Sequence, residues 1–148
     1  MAKEVWSCHA DEPLSAAARI MWEHDVGAVP VVDAAGKLAG IITDRDVCMA
    51  AYFTGGPLAA EPVRPHMSTQ VFTTTPEDRV EAAEELMRSK QVRRLPVVDA
   101  ARQVVGMVSL SDLARAAAER GRKLLDSSEV IATLAAIVQP RPRLVAAA

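Results

Sequence analysis

The chain has 148 residues, a formal net charge of −2 and an apolar half in which aromatics make up only 3% of the whole. That length fits one compact domain, or two small ones that need each other, with a core of Val, Ile, Leu, Met and Ala. The charge balance and a pI near 5.9 exclude a general nucleic-acid or anionic-membrane binder, since both need a basic footprint.

No apolar run approaches the roughly 18 residues of a membrane span. The N-terminal stretch MAKEVWSCHADEP lacks the basic head and apolar run of a signal peptide. Two cysteines, Cys8 and Cys48, make no disulfide framework. The expected setting is cytoplasmic, with neither nucleic acid nor membrane as partner.

In chain order, Glu4-Val5-Trp6-Ser7 is a candidate short strand, followed by a helix in which Leu14, Ala17, Ala18 and Met21 fall at helical spacing. The β-branched run Val29-Pro30-Val31-Val32 predicts a strand whose proline belongs at its start or on an edge, because it cannot donate to a ladder. Asp33-Ala34-Ala35-Gly36 then reads as a hairpin turn, Leu38–Ile42 as the partner strand, and Thr43-Asp44-Arg45-Asp46 as a helix opening. The Gly- and Pro-containing stretch Thr54–Pro65 reads as a loop or linker.

The same order then recurs. Residues 14–50 and 80–116 align without a gap, with 13 identities in 37 positions, and both Pro30 to Pro96 and Asp46 to Asp112 span 66 positions. Such agreement marks an internal repeat. In the second copy Val71-Phe72-Thr73-Thr74 is the short strand and Thr75-Pro76-Glu77-Asp78 a helix start signal. Val80, Ala83, Glu84 and Met87 continue the helix with one charged exception. Leu95–Val98 and Val104–Val108 form the strand pair, and Ser109-Leu110-Ser111-Asp112 opens the last helix. Arg102 stands where the first copy has Gly36, so the second turn is open to a different geometry. Beyond the repeat, Ser127–Val138 reads as one more helix, ended by Pro140 and Pro142. The expected division is 1–60, 61–120 and a tail at 121–148. A unit of about 60 residues buries too little surface to be comfortable alone, so the two copies are expected to share a core.

Two copies of an apolar-Pro-Val-Val-Asp strand followed by Gly-apolar-apolar-(Thr/Ser)-x-x-Asp resemble the cystathionine-β-synthase (CBS) domain pair, or Bateman module, over roughly residues 3–118. The quoted segments are VGAVPVVD with GIITDRD, and VRRLPVVD with GMVSLSD. The resemblance implies a mixed α/β fold of tandem CBS domains packed sheet to sheet about a pseudo-twofold. It implies two clefts that bind adenosine compounds: AMP, ADP or ATP first, S-adenosylmethionine or NAD behind them. It implies no required cofactor, no catalysis, a regulatory role and a homodimer. The alternative is a structural or oligomerisation module without a physiological ligand.

The resemblance assigns Asp46 and Asp112 to ribose, with Thr43 and Ser109 beside them. A Thr/Ser-x-x-Asp turn is also a variant of the helix capping box, which is a sufficient structural reason for it. By the family's cross-over, one cleft joins Thr43 and Asp46 to Val92, Arg93 and Arg94, and Arg45 adds charge. The other joins Ser109 and Asp112 to Val26, Gly27 and Ala28. The arginines suit phosphate because a guanidinium binds it bidentately, though two adjacent arginines are more often a solvated pair. Gly27 and Ala28 would leave a small, backbone-rich wall for an adenine ring. Cys8, His9, His24, Cys48 and His66 follow no metal spacing, so no metal is expected. Trp6 and Trp22 read as packing residues. Ala16–Ala18 and Ala114, Ala116, Ala117 and Ala118 read as close-packing faces for self-association.

Overall fold

The computed structural model describes residues 5–118 and 126–139. Its elements run β1 (Cys8–His9), α1 (Leu14–Glu23), β2 (Ala28–Val32), β3 (Leu38–Thr43), α2 (Asp44–Thr54), α3 (Val80–Lys90), β4 (Arg94–Val98), β5 (Val104–Ser109), α4 (Leu110–Ala118) and α5 (Ser127–Ile137). The chain forms two compact units that each draw on both repeats. One takes the described residues up to Asp78 together with Arg94–Val108; the other takes Arg79–Arg93 and the described residues from Ser109 onward.

In the first unit the sheet order is β1-β2-β3, with β1 parallel and β3 antiparallel to β2. Every residue of β2 is buried, whereas β3 alternates, so one face of β3 meets the core and the other does not. Leu14 and Ala17 of α1, Val47 and Ala50 of α2, and Val29, Val31 and Ile42 of the sheet make one apolar cluster. Pro30 lies in mid-strand rather than at the start. It is tolerated because β1 pairs only with Val31 and Val32, so no β1 carbonyl calls for an N–H from residue 30. Gly40 of β3 has its own reason: a Cβ there would lie 2.9 Å from the backbone oxygen of Ser68, whose segment exchanges two 2.9 Å hydrogen bonds with Ile41.

The extra strand of the first repeat is Cys8–His9, displaced from the predicted Val5–Ser7; Glu4 lies outside the described residues. Its counterpart in the second repeat shrinks to one parallel bridge, Thr74 with Val97, again 66 positions on from Cys8 with Val31. The stretch predicted as a linker is laced into the core. Val63 is fully buried, and the carbonyls of Glu61 and Leu58 accept from the N–H groups of Leu14 and Ser15 at 2.8 and 3.3 Å. Those carbonyls replace the side-chain cap that Pro13 cannot supply. The helix expected from Thr75 begins at Val80, because Asp78 instead accepts from the Thr75 N–H and the Thr74 hydroxyl at 2.7 and 2.9 Å. Trp22 does not pack: it is 89% exposed, while Trp6 stacks on His24 with ring centroids 3.7 Å apart. Ala17 is buried, so it belongs to the core rather than to an outer face.

The two hairpin turns, which the Gly36/Arg102 exchange left open, have the same geometry. Asp33 Oδ1 accepts from the N–H groups of Ala35 and Lys37, and Asp99 Oδ1 from those of Ala101 and Gln103, at 2.8–2.9 Å. Gly36 has φ +77° and Arg102 φ +64°. A side chain in that left-handed region costs roughly 1–2 kcal/mol, partly offset by the extra freedom glycine has when unfolded. Arg102→Gly is therefore expected to stabilise by about 0.5–1 kcal/mol, read as a rise in the denaturant midpoint at unchanged slope. Gly36→Ala is expected to shift it the opposite way.

The second unit consists of α3, α4 and α5, which pack on one another. Ala83 and Met87 of α3, Leu110 and Leu113 of α4 and Val130 of α5 supply its buried apolar residues. The charged exception Glu84 is buried too, and Thr133 of α5 donates to it at 2.6 Å. The predicted tail helix is present, opened by a capping box of Asp126 with Glu129. Pro140 and Pro142, expected to end it, lie outside the described residues.

Candidate functional site

The two Thr/Ser-x-x-Asp turns are full reciprocal caps. In the first, Asp46 Oδ2 accepts from the Thr43 N–H at 2.8 Å and the Thr43 hydroxyl at 2.7 Å, and Thr43 Oγ1 accepts from the Asp46 N–H at 3.3 Å. In the second, Asp112 Oδ2 accepts from the Ser109 N–H at 2.9 Å and the Ser109 hydroxyl at 2.7 Å, and Ser109 Oγ accepts from the Asp112 N–H at 3.2 Å. One oxygen of each carboxylate is thereby committed to the backbone turn, and the other is left to decide what the site can do.

The second oxygens differ. Arg115, one turn along α4, donates to Asp112 Oδ1 at 2.6 Å. Position 49, the equivalent of 115 in the first repeat, is Met49, and among the described residues nothing donates to Asp46 Oδ1. Asp46 is thus held in place by one oxygen and open at the other, whereas Asp112 is occupied at both. Burial pushes the Asp112 carboxyl upward, but bonds from Ser109 and Arg115 outweigh it and hold the group below its ordinary value.

That depression links Asp112 to stability. Its folded-state pKa lies below the unfolded one, near 3.9. The contribution is therefore complete above the unfolded value and is lost as pH falls through the folded one. The melting difference between the wild type and Asp112→Asn is expected to be largest near neutrality and to shrink as the pH is lowered below about 4.

The segments before β2 and β4 share one backbone form. Asp25 and Gln91 both take positive φ, +50° and +53°. The Val26 and Val92 N–H groups donate to Met21 and Met87 at 3.0 Å, and the first N–H of α2 and of α4 donates to Gly27 and Arg93 respectively. Only the side chains distinguish the two. Arg93 is exposed and Arg94 half-buried, an alternation expected of neighbours at a strand start. In the first unit Arg94 lies against Gly27: a Cβ on Gly27 would be 3.1 Å from Arg94 Nη2 and 3.0 Å from Asp44 Oδ2. The wall expected at Gly27-Ala28 therefore carries a guanidinium and a carboxylate. In the sequence Asp44 is one residue of the Thr43–Asp46 helix opening, and nothing in its spacing marks it as special. Thr43, Asp46, Val26, Gly27, Ala28 and Arg94 belong to the first unit, as does the exposed Arg45. Val92, Arg93, Ser109 and Asp112 belong to the second.

Cys8 and His9, adjacent on β1, separate into a buried and an exposed side chain. Burial, with the Glu12 charge adding to it, pushes the Cys8 thiol up to about 11, so Cys8 is a protonated core residue rather than a nucleophile or thiolate ligand.

Comparison with known proteins gives a consistent result. The CBS domain family model matches residues 1–52 and again 63–119. The chain is 39% identical over 114 residues to the CBS domain-containing protein YhcV of Bacillus subtilis, a match covering 77% of this chain and 79% of that protein. It is 34% identical over 99 residues to a homoserine O-acetyltransferase of Methanohalobium evestigatum, where the match covers 67% of this chain but only 19% of the enzyme. Among solved structures, the CBS domain pair of protein MJ0100, in complex with 5′-methylthioadenosine and S-adenosyl-L-methionine, superposes with a TM-score of 0.71 at 30% identity, covering 78% of this chain and 89% of that one. The two family matches lie on the two halves of the 66-residue repeat, and each half carries the capped Thr/Ser-x-x-Asp turn: the chain belongs to the CBS domain family and holds the domain twice.

Proposed function

We propose that this CBS pair is a regulatory, non-catalytic module that binds an adenosine-type ligand through the first unit, with Asp46 accepting from the ribose hydroxyls and Arg94 meeting a 5′ anionic group. The observation that carries this reading is the half-used carboxylate of Asp46: one oxygen is fixed by Thr43, and the other is positioned, charged and unclaimed among the described residues. A fixed carboxylate with a spare oxygen is a ready acceptor for a diol. The ligands that the MJ0100 pair carries share the adenosine that such a site would hold. AMP, ADP and ATP remain the first candidates here because a guanidinium favours phosphate. The repeats 1–60 and 61–120 are the domains of the module, and residues from 121 form its tail.

A melting series with AMP, ADP, ATP, NAD, S-adenosylmethionine and 5′-methylthioadenosine tests this. A ligand at a hundredfold its Kd stabilises by about 2.7 kcal/mol. No shift with any of the six would instead favour a purely structural module.

Self-association goes with this role. Trp22 of α1 and Tyr52 and Phe53 of α2 are 89%, 76% and 76% exposed on neighbouring helices, an unusual cost for a monomer in water. They replace the alanine faces as the basis for a homodimer, and a 16 kDa species in dilute sedimentation would contradict it. The free Cys8 and Cys48 suit a reducing cytoplasm. No helix among the described residues is long and apolar enough to cross a membrane.

A further inference from the structure

We infer that the exposed face of α1 and α2 is a receptor for a helix, and that its occupant is the outer face of α5 from a second copy of this chain. The inference rests on the self-association proposed above and names what the aromatic surface holds. The internal repeat supplies the template. In the second unit α5 packs on both α3 and α4; Thr133 donates to Glu84, and Gln91 donates to the Ala136 carbonyl. Glu84, Arg88 and Gln91 are spaced i, i+4 and i+7 along α3 and its C-cap. The residues 66 positions earlier are Ala18, Trp22 and Asp25. Trp22 therefore stands in the middle of the stripe that corresponds to the α5 footprint. Among the described residues no third helix packs on α1 and α2 as α5 packs on α3 and α4. Glu84 and Met87 are buried, whereas their counterparts Ala18 and Met21 are half-buried and Trp22 is exposed.

The distribution of exposed apolar side chains identifies the occupant. Most of the large ones among the described residues lie in two places: around Trp22, Tyr52 and Phe53 on α1 and α2, and at Ile131, Leu134 and Val138 on α5 and its C-cap. α5 thus has two apolar sides. Val130 and Thr133 are buried in its own unit, while Ile131, Leu134 and Val138, spaced i, i+3 and i+7, form a second stripe that faces solvent. No charged residue occurs from Val130 to Gln139, so covering that stripe strands no charge. At the equivalents of Trp22 and Met49 the second repeat has Arg88 and Arg115, each paired with an acid of its own helix. The receptor is therefore particular to the first repeat, and copies join through unlike faces.

The test is sedimentation of two full-length variants, alone and mixed. Ile131→Lys/Leu134→Lys spoils the helix and keeps the receptor; Trp22→Ser/Tyr52→Ser does the reverse. All four positions are exposed, so both variants should keep a cooperative melting transition. Each alone is expected to sediment at the chain mass of 15.8 kDa. An equimolar mixture should form a one-to-one complex, because one intact receptor and one intact helix remain. The milder Ile131→Ala/Leu134→Ala should weaken self-association about tenfold or more, the scale of two large apolar side chains leaving an interface; it takes the place of the lysine variant if that one fails to fold. Full self-association in the α5 variants would overturn the helix as occupant and leave the homodimer standing, since the aromatic faces would then meet each other. Two monomeric variants that stay apart on mixing would also overturn it. A wild type that is monomeric at every concentration would remove this inference together with the self-association it rests on.

Discussion

Asp46→Asn is expected to weaken binding of an adenosine ligand at least tenfold, and Asp112→Asn less than twofold, when both are titrated calorimetrically with AMP. The two carboxylates stand at equivalent positions of a 66-residue repeat and cap their helices in the same way. A hydrogen bond to a charged group contributes about 1.5–3 kcal/mol, so losing the acceptor for a ribose hydroxyl accounts for a tenfold change or more. Asparagine keeps one oxygen, which can stay on Thr43 and preserve the cap. Its other atom becomes an NH₂ group, which donates where the ribose needs an acceptor. The helix-capping loss is then limited to about 1 kcal/mol, and unfolding measured on the same samples separates it from the binding loss. Asp112 should tolerate the change because Arg115 already holds its second oxygen. Equal losses in the two variants would mean that both repeats bind ligand; full affinity in Asp46→Asn would remove the ribose role.

The asymmetry behind that expectation was only half legible in the sequence. The repeat, its offset and the capped turns could be read directly, because strand alternation, turn chemistry and Thr/Ser-x-x-Asp spacing are local patterns. The contrast between Gly27-Ala28 and Arg93-Arg94 could also be read. What it meant could not, because the Arg94 guanidinium comes to lie on Gly27, 67 positions earlier in the chain, and no local pattern encodes that approach. Arg115 was legible in principle: an Arg three residues after an Asp on a helix is a standard pair, and Met49 in its place in the first repeat was available for comparison. Arg102 shows the opposite failure. Its residue type argues against a left-handed turn, yet Asp99 imposes the same backbone as Asp33 does around Gly36. The stretch 54–65 read as a linker because composition reports turns well, but says nothing of the carbonyls that cap α1 from across the fold.

The residue that most resisted the pattern, Glu84, yields the largest expected stability effect. Thr133→Val is expected to destabilise the protein by about 2–3 kcal/mol, measured by denaturant unfolding. Glu84 occupies an inward position of α3, where helical spacing calls for an apolar side chain, and only 7% of it is exposed. A carboxylate there is tolerable only with a donor, and the donor is a hydroxyl from α5, outside the repeat altogether. Valine matches threonine in shape and removes the donor, so the cost is that of an unsatisfied buried acceptor rather than a cavity. Gln91 adds a second tie from the end of α3, donating to the Ala136 carbonyl at 3.1 Å. The double variant Glu84→Leu/Thr133→Val removes the polar pair together and should recover most of the loss, because replacing both partners by apolar groups can be nearly neutral. Non-additivity of this kind is the signature of two groups in direct contact. If Thr133→Val cost less than about 0.5 kcal/mol, water would be satisfying Glu84, and α5 would add little to the second unit. With the full cost and its recovery in the double variant, the tail helix is a structural member of that unit, fastened by the one charged residue that breaks the apolar face of α3.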